Sequence, residues 1–228
     1  MSLYVIGDLH LSLGCDKPMD VFGGRWENYT DKLLEGFSTV RTEDVTVLCG
    51  DLSWGMSLAE AREDFLFINA LPGKKIILKG NHDYWWTTAA QARRFFEENG
   101  IDSIEILHNN CCFYGEYALC GTRGWSCDAA EGDEHDRKIL RRELIRLEAS
   151  LKAAGEREKL AFLHYPPKLL GCECGELLQL LREYGVRDCW YGHLHSAGRA
   201  QAFEGEADGI RFHLISADHL YFIPKKII

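Results

Sequence analysis

The chain reads as an α/β protein on three observations. Short apolar runs recur along it, stretches of helical spacing separate them, and several runs end directly on a glycine or on a polar residue that can turn the backbone.

The runs Leu3–Ile6, Val45–Cys49, Lys75–Lys79 and Leu160–His164 have the near-continuous apolar character of strands buried on both faces. Between them, helices are expected over 28–39, 58–70 and 87–99. Ser57 followed three residues on by Glu60 has the form of a helix start. This βαβαβ alternation implies parallel strands, since each crossover returns the chain over one face of a sheet. From about 104 the texture changes to the closely spaced runs Glu105–Asn109, Cys111–Gly115 and Tyr117–Gly121, with Gly115-Glu116 read as a hairpin turn. A long charged helix is expected over 133–154 and another over 174–184, followed by strands near 187–191, 210–216 and 220–224. The acidic run Glu131–Asp136 reads as a solvated helix entrance. No repeat, low-complexity tract or linker divides the chain, so residues 1–228 are expected to form one domain.

Composition narrows the function. With 46% apolar and 27% charged residues the chain can bury a sizeable core, which excludes disorder. A formal charge of −9 disfavours nucleic acid as a partner, because non-specific affinity comes from Lys and Arg neutralising phosphates. No apolar run approaches the roughly 18 residues needed to span a bilayer. Met1–His10 lacks the basic flank of an export signal, and a cytoplasmic location is expected. The nine cysteines are accordingly expected to be reduced thiols. A structural zinc site built on Cys172 and Cys174 with Cys189 or Cys15 is the alternative, resting on a single C-x-C. Cys111 and Cys112, if on a strand, point to opposite faces and suit one metal poorly.

The polar residues at the strand ends carry the chemistry. Asp8, Asp51, Asn81, His164 and His193 each follow a predicted strand, where open α/β sheets form their ligand crevices. Asp8 and His10 project to one side in extended backbone, as do His193 and His195 after Gly192. Turn chemistry alone accounts for Gly50-Asp51 and for most of Gly80-Asn81-His82-Asp83, but leaves His82 unexplained. His164 precedes Tyr165-Pro166-Pro167, whose prolines stiffen the exit from the strand. Each element singly fits a capped turn or a core histidine; the ordered set from Asp8 to His195 does not.

That ordered set resembles the calcineurin-like metallophosphoesterase superfamily. The resemblance implies a four-layer α/β/β/α sandwich of two mixed sheets flanked by helices, and hydrolysis of a phosphate mono- or diester with two divalent metal ions. It implies that Asp8, His10, Asp51 and His195 hold one ion. Asp51 as a bridge, Asn81, His164 and His193 would hold the other, and His82 would serve as the acid beside the leaving group. Carboxylate, imidazole and amide donors without thiolate suit Mn, Fe, Zn or Co better than the all-oxygen shells of Ca or Mg. Two such cations lower the pKa of a shared water, and the resulting hydroxide attacks phosphorus in line.

The sequence departs from the best-known branch of that superfamily at Leu52-Ser53-Trp54-Gly55, where the branch has an Asp-Arg pair after its G-D motif. A Ser/Thr protein phosphatase is thereby disfavoured. Arg123, with Arg25 and Trp26, is a candidate substrate contact. The segment Leu11–Trp26 is placed to roof the site, and with Trp54, Trp85 and Trp86 it suggests a small phosphorylated, nucleotide-like substrate. A nuclease or cyclic-nucleotide phosphodiesterase on the same scaffold is the nearest rival. A non-catalytic interaction module is the rival of another class, and it would be expected to have lost ligands or His82. The oligomeric state is not legible in the sequence.

Overall fold

The computed structural model describes all of residues 1–228. Its first four strands, β1 (Leu3–Ile6), β2 (Val45–Cys49), β3 (Lys74–Leu78) and β4 (Ile104–Ile106), lie side by side and parallel. The helices α1 (Tyr29–Phe37), α2 (Arg62–Ala70) and α3 (Ala89–Glu98) form the crossovers. The hairpin of β5 (Cys111–Tyr114) and β6 (Tyr117–Thr122) opens a second sheet, continued by β7 (Glu158–Leu163), β8 (Asp188–Tyr191), β10 (Ile210–Leu214) and the short β9 (Gly205–Ala207). Helices α4 (Glu134–Ala153) and α5 (Gly175–Glu183) connect its parallel members. The sheet orders are β11-β1-β2-β3-β4 and β5-β6-β7-β8-β10-β9, where β11 is Lys225–Lys226. Both sheets are mixed, since β11, β5 and β9 run antiparallel to their neighbours.

The three apolar clusters define four layers. Leu3, Val5, Val47 and Ile76 of the first sheet meet Leu119, Leu160, Phe162 and Trp190 of the second in a shared interior. The opposite face of the first sheet, Ile6, Leu48 and Ile77, is covered by Leu33 and Phe37 of α1, Phe65 of α2 and Phe96 of α3. Ala161, Leu163, Cys189 and Tyr191 on the outer face of the second sheet are covered by Leu140 and Leu147 of α4 and Leu177 and Leu181 of α5. A strand covered on both faces has no solvated side to signal with polar residues, which is why these runs lack alternation. The result is the α/β/β/α sandwich expected above.

Helix starts follow local chemistry. Thr88 caps α3 by accepting from the Gln91 N–H, and Asp133 caps α4 by accepting from Asp136 N–H at 2.9 Å. The Ser57 hydroxyl does accept from the Glu60 N–H, while the Glu60 carboxylate bonds back to Met56 N–H. That pair closes a separate turn, and α2 begins only at Arg62.

Two expectations are corrected. The apolar run expected as a strand over 220–224 instead opens in a turn, with Tyr221 and Phe222 at φ 53° and 62° and Phe222 N–H bonded to the Ala217 carbonyl. The turn drives the Phe222 ring into the first helical layer against Trp26, at 5.2 Å between centroids. The cysteines are not all reduced: Cys127 and Cys172 form a disulfide with Cα atoms 5.9 Å apart. They lie 45 residues apart in sequence, and only the alignment of β6 beside β7 brings their loops together. Cys172 therefore has no free thiolate for zinc, Cys174 is buried beside Glu176, and Cys189 is buried within β8. Cys111 and Cys112 do face opposite layers of the second sheet.

Candidate metal centre

Five strands of two sheets, β1, β2, β3, β7 and β8, end toward one crevice and deliver Asp8, Asp51, Asn81, His164 and His193 to it. Beyond the strands the chain keeps near-sheet pairing, with Asp8 N–H on the Gly50 carbonyl and His10 N–H on the Asp51 carbonyl, both at 2.9 Å. Asp8, His10, Asp51 and His193 are held at positive φ, between 47° and 70°. Non-glycine residues there cost of order 1–3 kcal/mol each, and such strain persists only where the surroundings impose it. Gly80 and Gly192 allow the close approach: a Cβ on Gly192 would strike the Asp8 carboxylate, and one on Gly80 the Asp51 carboxylate.

Asp83 holds these loops in register, a role the sequence reading did not assign to it. Its buried carboxylate accepts from the backbone N–H groups of Gly80 (2.7 Å), Asp51 (2.9 Å) and Leu52 (2.8 Å), and from the Trp85 indole (2.8 Å). The signal was present as the last residue of Gly80-Asn81-His82-Asp83, where turn chemistry had absorbed it.

The buried donor atoms define what the crevice can hold. Asp51 Oδ1 accepts from His82 N–H at 2.7 Å, whereas Asp51 Oδ2 has no hydrogen-bond partner. That oxygen lies 3.7 Å from His10 Nε2 and 3.5 Å from His164 Nε2. Both nitrogens of His10, and Nδ1 of His195, are likewise buried and unpartnered. Burial holds the His164 imidazole down at about 4 and His193 at about 3, and pushes His10 and His195 below their usual value. The imidazoles are thus neutral at neutral pH, the state that ligates metal. Burial also raises the Asp51 carboxyl to about 6, and raises Asp8 with the help of the nearby Asp51 charge.

The His164 contacts test whether a cation fits. Its Nδ1–H donates to the Cys49 carbonyl at 3.0 Å, which fixes the tautomer and leaves Nε2 a bare lone pair. That lone pair faces Asn81 Oδ1 at 2.6 Å and Asp51 Oδ2 at 3.5 Å. An unpartnered carboxylate oxygen and a bare imidazole nitrogen facing each other repel, and a cation between them resolves the conflict. Asp8, Asp51 and His164 each place a ligand atom within 4.8 Å of the others. Asn81 Oδ1 is also 2.9 Å from His193 Nδ1, and the His193 N–H bonds Asp8 at 2.9 Å.

An aromatic wall surrounds the His10 side. The imidazole stacks on Trp54 at 4.8 Å and stands edge-on to His195 at 5.1 Å and Trp26 at 5.8 Å. Trp54 also borders His82 at 4.6 Å, its indole N–H donates to Met19 Sδ at 3.4 Å, and the Lys17 ammonium lies 5.5 Å from its ring centroid. His82 is half-buried, with Nδ1 3.3 Å from the Tyr84 hydroxyl.

The candidate substrate contacts separate. Trp26 is 2% exposed and packs behind His10 and His195, so its ring supports the crevice wall. Arg25 donates to the Asp218 carbonyl and the Tyr221 hydroxyl, both at 2.8 Å, tying the segment to the C-terminal turn. Arg123 is the one beside the crevice: its carbonyl accepts from His164 N–H at 3.1 Å, and its guanidinium lies 3.4 Å from Glu143. Trp85 is buried in the core, leaving Trp54 and Trp86 with open faces.

A family model for calcineurin-like phosphoesterases matches residues 1–197, and the chain belongs to that family. It is therefore a metal-dependent phosphoesterase by kind, with a cluster of Asp8, Asp51 and His164 able to bind metal. Among solved structures, the phosphopantetheinyl hydrolase PptH from Mycobacterium tuberculosis is similar, with a TM-score of 0.66 at 12% identity over 100% of this chain and 95% of that one. A protein of unknown function from Aquifex aeolicus, AQ665, has a TM-score of 0.51 at 14% identity over 99% and 95%. At such identities the likeness speaks for the fold. No curated protein matches the chain. No helix is long and apolar enough to cross a membrane.

Proposed function

We propose that the protein hydrolyses a small phosphate mono- or diester at a dinuclear metal centre. The observation that carries this reading is the unpartnered Asp51 Oδ2, set 3.7 Å from His10 Nε2 and 3.5 Å from the bare Nε2 of His164. A carboxylate so placed suits two cations at once. Asp8, His10, Asp51 and His195 would hold one ion, and Asp51, Asn81, His164 and His193 the other. When bound, such a pair supplies a water-derived nucleophile at neutral pH and neutralises phosphoryl charge. Mn, Fe, Zn or Co suits the donor set.

The chain's own groups do the rest. Cys49 orients His164 through its carbonyl, Asp83 clamps the Asp51 and Asn81 loops, and Trp54 shields His10 from water. His82, anchored by its backbone N–H to Asp51, is positioned to give a proton to the departing oxygen.

The experiment is elemental analysis together with turnover of aryl mono- and diesters, nucleotides and DNA. About two transition-metal ions per chain are expected, with activity abolished by chelation and restored by Mn²⁺. His82→Ala should keep both ions and lower kcat about 10²–10⁴-fold for a poor leaving group, but less for a nitrophenolate. Full activity at one ion per chain would sink the bridging role of Asp51. Metal loss in His82→Ala would sink the acid role.

A further inference from the structure

An acidic protein with a net charge of −9 has, beside this crevice, a cavity of about 280 Å³ whose charged walls are mostly basic. Lys79, Arg123 and Arg146 line it together with Glu143, Trp86 and His108. Glu143 is saturated: its buried carboxylate bonds the Thr122 hydroxyl at 2.5 Å and Arg146 at 2.6 Å, and lies 3.4 Å from Arg123. It therefore aims the two guanidinium groups and makes no hydrogen bond or ion pair with Lys79. The Lys79 ammonium, half-buried, makes no hydrogen bond or ion pair, and Arg123 Nε is buried without a partner. Thr88 and Ala89, at the N-terminus of α3, close the cavity from another side and add the positive end of a helix dipole.

Three cations against one carboxylate leave a surplus of two positive charges, and partly burying that surplus is costly unless an anion enters. The cavity is also continuous in sequence with the centre: Lys79 immediately precedes Gly80-Asn81, and the Arg123 carbonyl is bonded to the His164 N–H. We infer that this cavity is a subsite for a second phosphate group of the substrate, so that the preferred substrate carries two phosphates. The inference rests on the phosphoesterase reading above and narrows it. The scissile phosphate lies at the carboxylate and imidazole crevice, while the second is held by Lys79, Arg123 and Arg146, a fork and point-charge arrangement suited to a phosphate dianion.

The test uses the full-length, metal-loaded protein and three probes: inorganic phosphate, methylenediphosphonate and propane-1,3-diphosphonate. Affinities are read by calorimetry and, separately, as competition against 4-nitrophenyl phosphate turnover. At least one diphosphonate should bind about tenfold or more tightly than phosphate, and Lys79→Gln and Arg146→Gln should each reduce that preference about tenfold, the effect of losing one charged hydrogen bond. Two variants on different elements guard against a folding defect in either. A preference that is absent, or that survives unchanged in both variants and so comes from the metal ions alone, overturns the subsite. Failure of the underlying reading looks different: no bound metal and no phosphoester turnover in the unaltered protein.

Discussion

His10 and His164 are both fully buried imidazoles just past strand ends, yet they are held by different means. His164 is fixed by a hydrogen bond to the Cys49 carbonyl and lies between Asp51 and Asn81. The loops around its neighbour His193 are stapled by the Cys127–Cys172 disulfide, which shares a cavity wall with Tyr165 and His193. His10 has no hydrogen bond from its ring and is wedged among Trp54, Trp26 and His195. One half of the centre is organised by directional bonds, and the other by aromatic packing that leaves its nitrogens free. The difference matters because a ligand held by packing keeps its ring lone pair unsatisfied until a metal arrives.

The largest effect is expected at the residue the halves share. Asp51→Asn should lower activity by about 10³-fold or more, the scale of a lost metal contribution, and reduce metal content by elemental analysis. Near-normal activity with two bound ions would remove Asp51 from the join. Next, Cys127→Ser should destabilise the protein by about 4 kcal/mol in non-reducing denaturant melts, the loop-closure value for a 45-residue separation. The bonded half should suffer first, seen as loss of the ion held by His164 and His193 ahead of the other. Simultaneous loss of both would show that the halves are not independent.

The sharpest contrast comes from the chelated protein. His164→Leu breaks the bond to Cys49 and should destabilise it by about 1–3 kcal/mol, the cost of stranding a buried acceptor. His10→Leu removes two unsatisfied nitrogens from an aromatic box and should leave stability unchanged or raised. Equal destabilisation by both would erase the comparison. With metal added, both variants should lose ions.

The smallest effect lies at the other end of the first sheet and serves as a control. N–H groups of Arg41 and Ser2 hold the Asp44 carboxyl at about 2, below its ordinary value. A depressed carboxyl stabilises the fold above the unfolded pKa of about 3.9 and loses that contribution as pH falls through the folded value. The melting-temperature deficit of Asp44→Asn should therefore be full between pH 5 and 7, shrink progressively below about pH 5 and vanish at about pH 1. Metal content should not change.

The strands and most helices were legible because strands covered on both faces need unbroken apolar runs, and because helix faces repeat locally. Leu3–Ile6 and Val45–Cys49 were readable to the residue. Phe222 was not, since a short apolar run suits a buried compact turn as well as a strand. The polar residues at the strand ends were legible for a related reason: a polar group straight after a buried strand must turn, cap or bind.

The layer order came only as what the family resemblance implied; by itself the sequence determined which runs form buried strands and which side chains stand at their ends. Those depend on burial and on position along the chain, both local properties. Only the tertiary structure decided that Asp83 clamps the loops, that Cys127 meets Cys172, that Trp26 supports the crevice from behind, and that Lys79, Arg123 and Arg146 share a cavity. Each of these joins residues from different loops or elements, and a pairing of that kind is set by how the sheets and helices pack, which no local pattern encodes.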